Sequence, residues 1–179
     1  VLKDCSLLQY INIYSFISIQ QFNNTTIQQL ASYKFPLAVL ADFGLIVPDE
    51  VLNAFPKGII NVHPSLLPKF RGPTPVQSAI LAGEKETGVS IIRLDNAVDH
   101  GPLLAQEKEP ISDEDTAETL HEKLFTKGAE LLSKVLPDYI SGTLVPKPQD
   151  DTRATFTEKL TRNSGYIDPE KLRITNYEL

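Results

Sequence analysis

Apolar runs separated by turn residues divide the middle of the chain into short, regular segments. Residues 37–41 (LAVLA), 58–63 (GIINVH) and 88–95 (GVSIIRLD) are short apolar runs, typical of strands buried on both faces of a sheet. Between them, Pro48 followed by acidic residues predicts one short helix, and residues 73–83 (PTPVQSAILAG) predict another. This order of strands and helices predicts parallel strands joined by right-handed crossovers.

The second half of the chain predicts a turn back and a long helix. Residues 96–101 (NAVDHG) are too few for a crossover, so the strand at residues 102–110 is expected to run antiparallel. Residues 115–140 carry apolar side chains at helical spacing, with a capping pattern at Asp115 and Glu118, a possible bend or break at Pro137 and an end by Gly142. We therefore predict an α/β fold with a Rossmann-like, open, mainly parallel sheet, an antiparallel strand after residue 101 and helices on both faces.

The two ends of the chain give weaker patterns. A strand near residues 14–17 and a helix near residues 26–33 are expected from short apolar stretches. Residues 146–179 are polar and contain several prolines, which indicates a linker after a domain at residues 1–145. The chain begins at Val1 and contains no methionine, and we expect it to be a fragment of a longer protein.

Composition narrows the class of protein. A content of 41% hydrophobic and 22% charged residues is ordinary for a soluble globular protein, and the net charge of −6 gives no basic surface for nucleic acid. The single cysteine, Cys5, excludes an internal disulfide. No apolar run approaches the roughly 20 residues of a membrane-spanning helix, so no membrane partner is expected. His63, His100 and His121 have no ligand spacing, so no metal is expected.

Candidate chemistry lies at the ends of two predicted strands. Asn61 and His63 fall at the carboxyl end of the second strand, on one face because they are two residues apart. Asp95 and Asp99 follow the third strand, so all four are expected to converge if these strands are neighbours. An asparagine amide stabilises a developing oxyanion, a histidine moves protons, and a neighbouring aspartate is expected to fix its tautomer and raise its pKa. Such a set suits acyl or one-carbon transfer to an amine, without a covalent intermediate because no GxSxG motif occurs.

Each candidate also has a purely structural interpretation. A histidine at a strand end often only satisfies a hydrogen bond, and Asn61 could do the same in a turn. Asp95 and Asp99 are ordinary turn formers when taken singly. Arg71 is either a solvated loop charge or a contact for an anion, and the sequence does not separate these alternatives.

Taken as a unit, residues 61–104 resemble the folate-dependent formyltransferases. The matching residues are Asn61, His63, Ser65, Leu66, Leu67 and Pro68, then Thr87, Gly88 and Val89, then Asp95, Asp99 and Gly101. Two further stretches, FGLIVP at residues 43–48 and RGPTPVQSAI at residues 71–80, resemble the branch of the family that formylates methionyl-tRNA. The stretch ATFTEKLTRNSGYID resembles the linker that precedes a C-terminal domain in that branch. The resemblance extends over residues 37–166.

The resemblance implies specific roles. Asn61, His63 and Asp99 would be the catalytic residues. The folate site would be formed by Ser65, Leu66, Leu67, Pro68, Gly44, Leu45, Ile46, Val47 and Asp95. Asp95 ranks below Asp99, as a residue that shapes the loop. The implied co-substrate is 10-formyltetrahydrofolate, with no metal, and the implied acceptor is the amino group of initiator methionyl-tRNA, as a step of translation initiation.

The chain also departs from the family. The family's N-terminal strand–turn–helix unit, its tRNA-contacting loop and its C-terminal domain have no counterpart here. We therefore expect residues 1–145 to be an incomplete catalytic domain, residues 146–179 to lead to an absent domain, and the chain alone to lack parts needed for tRNA binding. A monomer is expected, and the Asn-, Ile- and Gln-rich beginning favours the mitochondrial matrix over a bacterial-type cytoplasm.

Three alternatives to the leading function stay open from the sequence. One is a different folate-dependent formyltransferase, acting on a sugar amine or a ribonucleotide. A second is the hydrolase module of a formyltetrahydrofolate dehydrogenase. The third, from a different class, is a folate-binding fragment without catalysis.

Overall fold

The computed structural model describes residues 34–166 and, before them, Thr25, Gln28 and Ser32. These three residues are helical, so Gln28 and Ser32 agree with the helix predicted near residues 26–33. The strand predicted near residues 14–17 lies outside the described residues. Among the described residues, no helix combines the length and apolar character needed to cross a bilayer.

Strands and helices between residues 38 and 141 follow the predicted order. The strands are β1 (Ala38–Ala41), β2 (Ile59–His63), β3 (Glu86–Arg93) and β4 (Leu103–Pro110). The helices are α1 (Asp49–Leu52), α2 (Pro75–Leu81) and α3 (Ala117–Ser141). Two short 3-10 helices follow, at Asp151–Arg153 and Arg162–Gly165. Each element predicted between residues 37 and 142 is therefore confirmed.

The sheet is mixed, and the prediction of a mainly parallel sheet was wrong. Its order is β1-β2-β3-β4, with β1 and β2 parallel and both other pairs antiparallel. The antiparallel β4 was predicted correctly, whereas β3 was expected to be parallel. Between β2 and β3, α2 packs against α3, with its buried Val76 beside Leu120 and Leu124. The chain re-enters the sheet where it left, with His63 opposite Ser90.

Helices cover both faces of the sheet, as predicted. On one face α3 packs over β2 and β3, in a core made of Ile60, Val62, Val89, Ile91, Leu131, Leu136 and Tyr139. On the opposite face Ile59 packs against Val51 of α1 and against Phe55. Because side chains alternate along a strand, Asn61 and His63 share the face of Ile59 and point away from α3. The candidate site and the main core thus lie on opposite faces of β2.

The start of α3 differs from the prediction, and its end agrees. Thr116, rather than Asp115, is the N-cap, and it exchanges hydrogen bonds with Thr119 in a capping box. The helix continues past Pro137 to Ser141. Gly142 then ends it with a φ of 83°, a left-handed conformation that favours glycine.

The buried hydroxyl of Thr87 supplies a stability test. Thr87 is 3% exposed, and its Oγ1 has no hydrogen-bond partner among the described residues. An unpaired buried hydroxyl costs roughly 1–3 kcal/mol, and valine has nearly the same shape as threonine. We therefore expect Thr87→Val to raise the free energy of unfolding by about 1 kcal/mol, measured by urea denaturation. Thr87→Ser, which keeps the hydroxyl, should lower it, and a destabilised valine variant would contradict this account.

Candidate active site

Asn61, His63 and Asp99 form one cluster. Oδ1 of Asp99 lies 3.5 Å from Nδ2 of Asn61, and its Oδ2 lies 3.6 Å from Nδ1 of His63. The side chains of His63 and Asp99 are 5% and 14% exposed. The structure therefore brings together the three residues to which the resemblance assigned catalysis, in a nearly buried position.

Asp99 reaches this cluster by a route that the sequence did not predict. Since β3 is antiparallel to β2, its carboxyl end lies beside the start of β2, where the N–H of Leu94 donates to the carbonyl of Ile59 at 2.8 Å. The connection at residues 94–102 therefore has to fold back toward His63. Asp99 adopts a φ of 47° there, and the N–H of Gly72 donates to its Oδ2 at 2.8 Å. Asp99 was expected at the site because β2 and β3 were predicted to be parallel, with their carboxyl ends at the same edge. That reason was wrong, although Asp99 does reach the site.

Asp95 does not join the cluster. Its Oδ1 accepts a hydrogen bond from the N–H of Ala97 at 3.0 Å, and its Oδ2 lies 2.6 Å from Nδ1 of His100. These contacts shape the loop, so the expected convergence of four residues was wrong for Asp95. Among the described residues there is no group of three or more His, Cys, Asp or Glu that could hold a metal ion.

The contacts of His63 fix its proton. Nε2 lies 3.0 Å from the carbonyl oxygen of Phe70, and because a carbonyl only accepts, Nε2 carries the hydrogen. In the neutral ring, Nδ1 is left with a lone pair on the side of Asp99. Burial lowers the pKa of His63 below its ordinary value, against the opposing effects of Asp99 and the Phe70 carbonyl. Asp99 raises this pKa, as expected, but desolvation of the imidazolium outweighs the carboxylate, so the net shift is downward.

His100 shows the opposite behaviour at the surface. Its hydrogen bond to Asp95 raises its pKa above the ordinary value, and the contact of its Nε2 with Oδ2 of Asp151 at 3.2 Å adds to this. Its side chain is 43% exposed, so solvent weakens these interactions. The two histidines therefore differ in the balance between burial and neighbouring carboxylates.

We expect His63 and His100 to titrate on opposite sides of pH ~6.5, the ordinary value for histidine. Imidazole signals followed by NMR, and assigned with single His→Gln variants, should show His63 protonating below that pH and His100 above it. The lowered pKa of His63 means that stability is present above pH ~6.5 and is lost as the pH falls toward the folded-state value. For His100, whose pKa is raised, the contribution to stability is present below pH ~6.5 and is lost as the pH rises through the folded-state value. A His63 signal that titrates above that of His100 would contradict this assignment.

The loop after His63 is anchored from within. Ser65 and Leu67 are buried, and Oγ of Ser65 donates to the carbonyl of Lys69 at 2.7 Å. Oγ of Ser90 donates to the carbonyl of Ser65 at 2.6 Å and accepts the N–H of Leu67 at 3.1 Å. Of the four residues implied as folate contacts here, Ser65 and Leu67 are thus engaged within the protein. Leu66 and Pro68 are only half-buried.

The loop after β1 lies at the same edge as His63. Ala41 is opposite Val62 in the parallel β1–β2 pair, so the chain leaves β1 next to the end of β2. Leu45 and Ile46 in this loop are 40% and 82% exposed, and Val98, next to Asp99, is 50% exposed. Gly44 is also exposed, whereas Val47 is half-buried and packs near Val51. This loop therefore carries exposed apolar side chains and leaves the sheet at the end of β2 that carries His63.

Arg71 is not the solvated loop charge of the first alternative, and the anion that it contacts is the carboxylate of Asp151 in this chain. Arg71 is 3% exposed, and its Nη2 lies 2.7 Å from Oε1 of Gln149 and 2.7 Å from Oδ1 of Asp151. Its guanidinium also lies 5.9 Å from the centre of the Phe156 ring. Gln149 was not identified from the sequence, because its contacts arise only when residues 147–157 return to Arg71. No local pattern marks such a contact.

Known proteins resemble this chain in sequence. The sequence pattern of the family described as formyl transferase matches residues 6–136. The chain belongs to this formyl transferase family. A methionyl-tRNA formyltransferase from Roseiflexus sp. (strain RS-1) is 45% identical over 142 residues, which cover 79% of this chain and 44% of that protein. One from Caldanaerobacter subterraneus subsp. tengcongensis is 38% identical over 166 residues, covering 93% and 53%. The chain thus spans about half the length of these curated relatives.

Solved structures of formyltransferases share the fold. Phosphoribosylglycinamide formyltransferase from Bacillus halodurans matches with a TM-score of 0.61 and 38% identity, over 66% of this chain and 61% of that one. Glycinamide ribonucleotide transformylase 1 from Symbiobacterium toebii matches with a TM-score of 0.66 and 29% identity, over 74% and 65%. The mixed sheet of this chain is therefore a formyltransferase fold.

Proposed function

We propose that the protein containing this formyltransferase chain transfers a formyl group from 10-formyltetrahydrofolate to the amino group of initiator methionyl-tRNA. The observation that carries this proposal is the buried His63, whose Nε2 is held by Phe70 and whose Nδ1 lies beside Asp99 and Asn61. Membership of the family supports formyl transfer, and relatives named methionyl-tRNA formyltransferase support the acceptor.

In the proposed mechanism, Asn61 stabilises charge and His63 moves the proton. The 3.5 Å contact of Asn61 Nδ2 with Asp99 is long, so this amide is available to donate to the formyl oxygen as negative charge develops there. The lowered pKa keeps His63 neutral at pH 7, with the Nδ1 lone pair ready to accept a proton from the attacking amine. Asp99 then stabilises the imidazolium that forms.

The formyl group passes directly from the donor nitrogen to the acceptor nitrogen. The acceptor nitrogen adds to the formyl carbon, which becomes tetrahedral and carries the oxyanion, and the bond to the donor nitrogen breaks when this intermediate collapses. The proton of the acceptor amine passes through His63 to the donor nitrogen that leaves. No enzyme nucleophile is required, and the nearby hydroxyl of Ser65 is committed to the carbonyl of Lys69.

The proposed folate site lies along the loops that border the cluster. Leu45, Ile46 and Val98 supply exposed apolar side chains for the ring system, and Leu66 and Pro68 supply half-buried ones. The backbone of residues 44–47 begins beside His63 because β1 and β2 are parallel. The chemistry proposed here uses an amide, an imidazole and a carboxylate, and it assigns no step to a metal.

A panel of acceptors tests this function. The complete protein is incubated with 10-formyltetrahydrofolate and, separately, with methionyl-tRNA, glycinamide ribonucleotide, an amino sugar nucleotide or no amine. We expect formylmethionyl-tRNA as the main product. A different formylated amine, free formate alone, or folate binding without any turnover would each contradict the proposal and favour one of the alternatives raised by the sequence.

The 179-residue chain by itself provides a second comparison. It contains the proposed folate-side residues and spans about half the length of the curated methionyl-tRNA formyltransferases. We therefore expect it to bind the folate without formylating methionyl-tRNA, as measured by folate titration beside a turnover assay. Detectable formylation by this chain alone would contradict that expectation.

The oligomeric state, the domain boundary and the location of the protein are proposed as follows. We propose a monomer. The boundary expected at residue 145 is moved in this proposal, because residues 147–157 are hydrogen-bonded to Leu103 and Arg71 and so belong with the catalytic domain, and the linker follows them. We also propose a mitochondrial matrix location, on the composition of the residues before position 37, which lie mostly outside the described part. A bacterial-type cytoplasm is the alternative, and the two curated relatives described above carry bacterial names.

A further inference from the structure

Residues 147–157, here called the return segment, lie against the candidate active site. Lys147 and Leu103 exchange two backbone hydrogen bonds, of 2.7 and 2.8 Å, which attach the start of the segment to β4. The carbonyl of Thr155 accepts the N–H of Arg71 at 2.9 Å, and the N–H of Thr157 donates to the carbonyl of Arg71 at 2.7 Å. The segment is therefore fixed at both ends.

Gln149, between these attachments, holds the loop that carries Asp99. Its Nε2 donates to the carbonyl oxygens of Asp99 and Gly101, each at 2.8 Å. Its Oε1 accepts from Nη2 of Arg71 at 2.7 Å and from Nε of the same guanidinium at 3.2 Å. Because carbonyls accept and a guanidinium only donates, this network allows one orientation of the amide.

Arg71 is a rigid support for that amide. Its side chain is 4% exposed, and Oδ1 of Asp151 pairs with its Nη2 at 2.7 Å. A planar guanidinium held by two partners keeps a fixed orientation better than a flexible ammonium would. The side chain of Gln149 is therefore fixed by Arg71 on one side and acts on the Asp99 loop on the other.

We propose that Gln149 is a positioning residue for Asp99 and acts from the return segment on the loop that carries Asp99. Asp99 has a φ of 47°, which an L side chain rarely adopts and which must be maintained by its surroundings. Gln149 holds its carbonyl, while the N–H of Gly72 holds its carboxylate at 2.8 Å. Together these contacts keep the carboxylate within 3.6 Å of His63. The catalytic consequence rests on the proposed function, whereas the position of Asp99 can be read independently.

The test compares two variants in the complete protein. Gln149→Glu keeps the length of the side chain and the oxygen that faces Arg71, but it replaces the amide nitrogen by an oxygen that repels the carbonyls of Asp99 and Gly101. Lys147→Ala is the matched control, because it removes an exposed side chain from the same segment and leaves the backbone pairing with Leu103 intact.

We expect Gln149→Glu to lower kcat by roughly 10- to 100-fold through misplacement of Asp99, with little change in KM for the folate. The pKa of His63, followed by NMR, should fall further, because the Asp99 carboxylate that raises it moves away. Lys147→Ala should match the unmodified protein in kcat and in the His63 titration. These two readouts separate positioning from a general loss of stability.

Equal kcat and equal His63 titration in the two variants would overturn the proposal. Outright loss of folding by Gln149→Glu would overturn it as well, because Gln149 would then serve stability rather than position. If the unmodified protein formylates no methionyl-tRNA, the proposed function fails, while the His63 titration still decides the role of Gln149.

Discussion

Replacement of His63 by alanine is expected to lower kcat for formyl transfer by roughly 10²–10⁴-fold, the usual contribution of a general acid–base group. The Nδ1 lone pair is the proton acceptor in the proposed mechanism, and alanine supplies none. Among the described residues the side chain of His63 makes one hydrogen bond, to the Phe70 carbonyl, and its backbone bonds do not depend on the imidazole, so the sheet itself should still form. Steady-state assays of the complete protein, with circular dichroism to verify folding, measure the effect.

His121→Ala is the control for this experiment. His121 lies on α3 with 39% of its side chain exposed, and it is not part of the cluster. We expect its replacement to leave kcat unchanged. Asn61→Ala should in turn cost roughly 10²–10³-fold, the usual effect of losing an oxyanion donor. Near-normal turnover in either the Asn61 or the His63 variant would refute the roles assigned to them.

Gly101→Ala is expected to cost roughly 3 kcal/mol of unfolding free energy or more, a large effect for one methyl group. An added Cβ would lie 1.8 Å from the carbonyl oxygen of Arg93 and 3.3 Å from the backbone nitrogen of Asp95. Both are backbone atoms, one in the last residue of β3 and one in the connection to β4, so neither is displaced easily. Relief would also strain the 3.0 Å hydrogen bond from the N–H of Arg93 to the carbonyl of Pro102.

Urea denaturation of Gly101→Ala and Gly165→Ala gives the comparison. An added Cβ at Gly165 would meet no atom of the described residues within 4 Å, so the same substitution there should change the unfolding free energy by less than about 0.5 kcal/mol. Equal stability of the two variants would show that the β3–β4 connection tolerates the displacement. Since Asp99 lies in that connection, loss of turnover should accompany loss of stability at Gly101.

The sequence predicted the elements better than their directions. Apolar runs, Pro48 and Gly142 are local signals, and each marked an element that the structure contains between residues 37 and 142. Strand direction is not local, because β3 has buried apolar residues along its length and looks the same in either direction. The direction is known from the pairing of His63 with Ser90, a contact between distant residues that no local pattern marks.

The sequence predicted the part of the site that depends on local spacing, and not the part that depends on contacts between distant residues. Asn61 and His63 share a face of β2, which follows from a spacing of two residues. The position of Asp99 depends on the return of the loop to Gly72, and that of Gln149 on the return of a distant segment to Arg71. The direction of the pKa shift of His63 also depends on burial, which becomes known only when the chain is folded.

A double-mutant cycle of His63 and Asp99 tests the central claim most directly, since Asp99 is proposed to act only through His63. The kcat of the complete protein is measured for His63→Ala, for Asp99→Asn and for the double variant. If Asp99 serves only to stabilise the His63 imidazolium, its replacement should cost nothing further once His63 is absent. We predict that the double variant is no slower than His63→Ala alone. Losses that multiply would show that the two residues act independently and would contradict the proposed site.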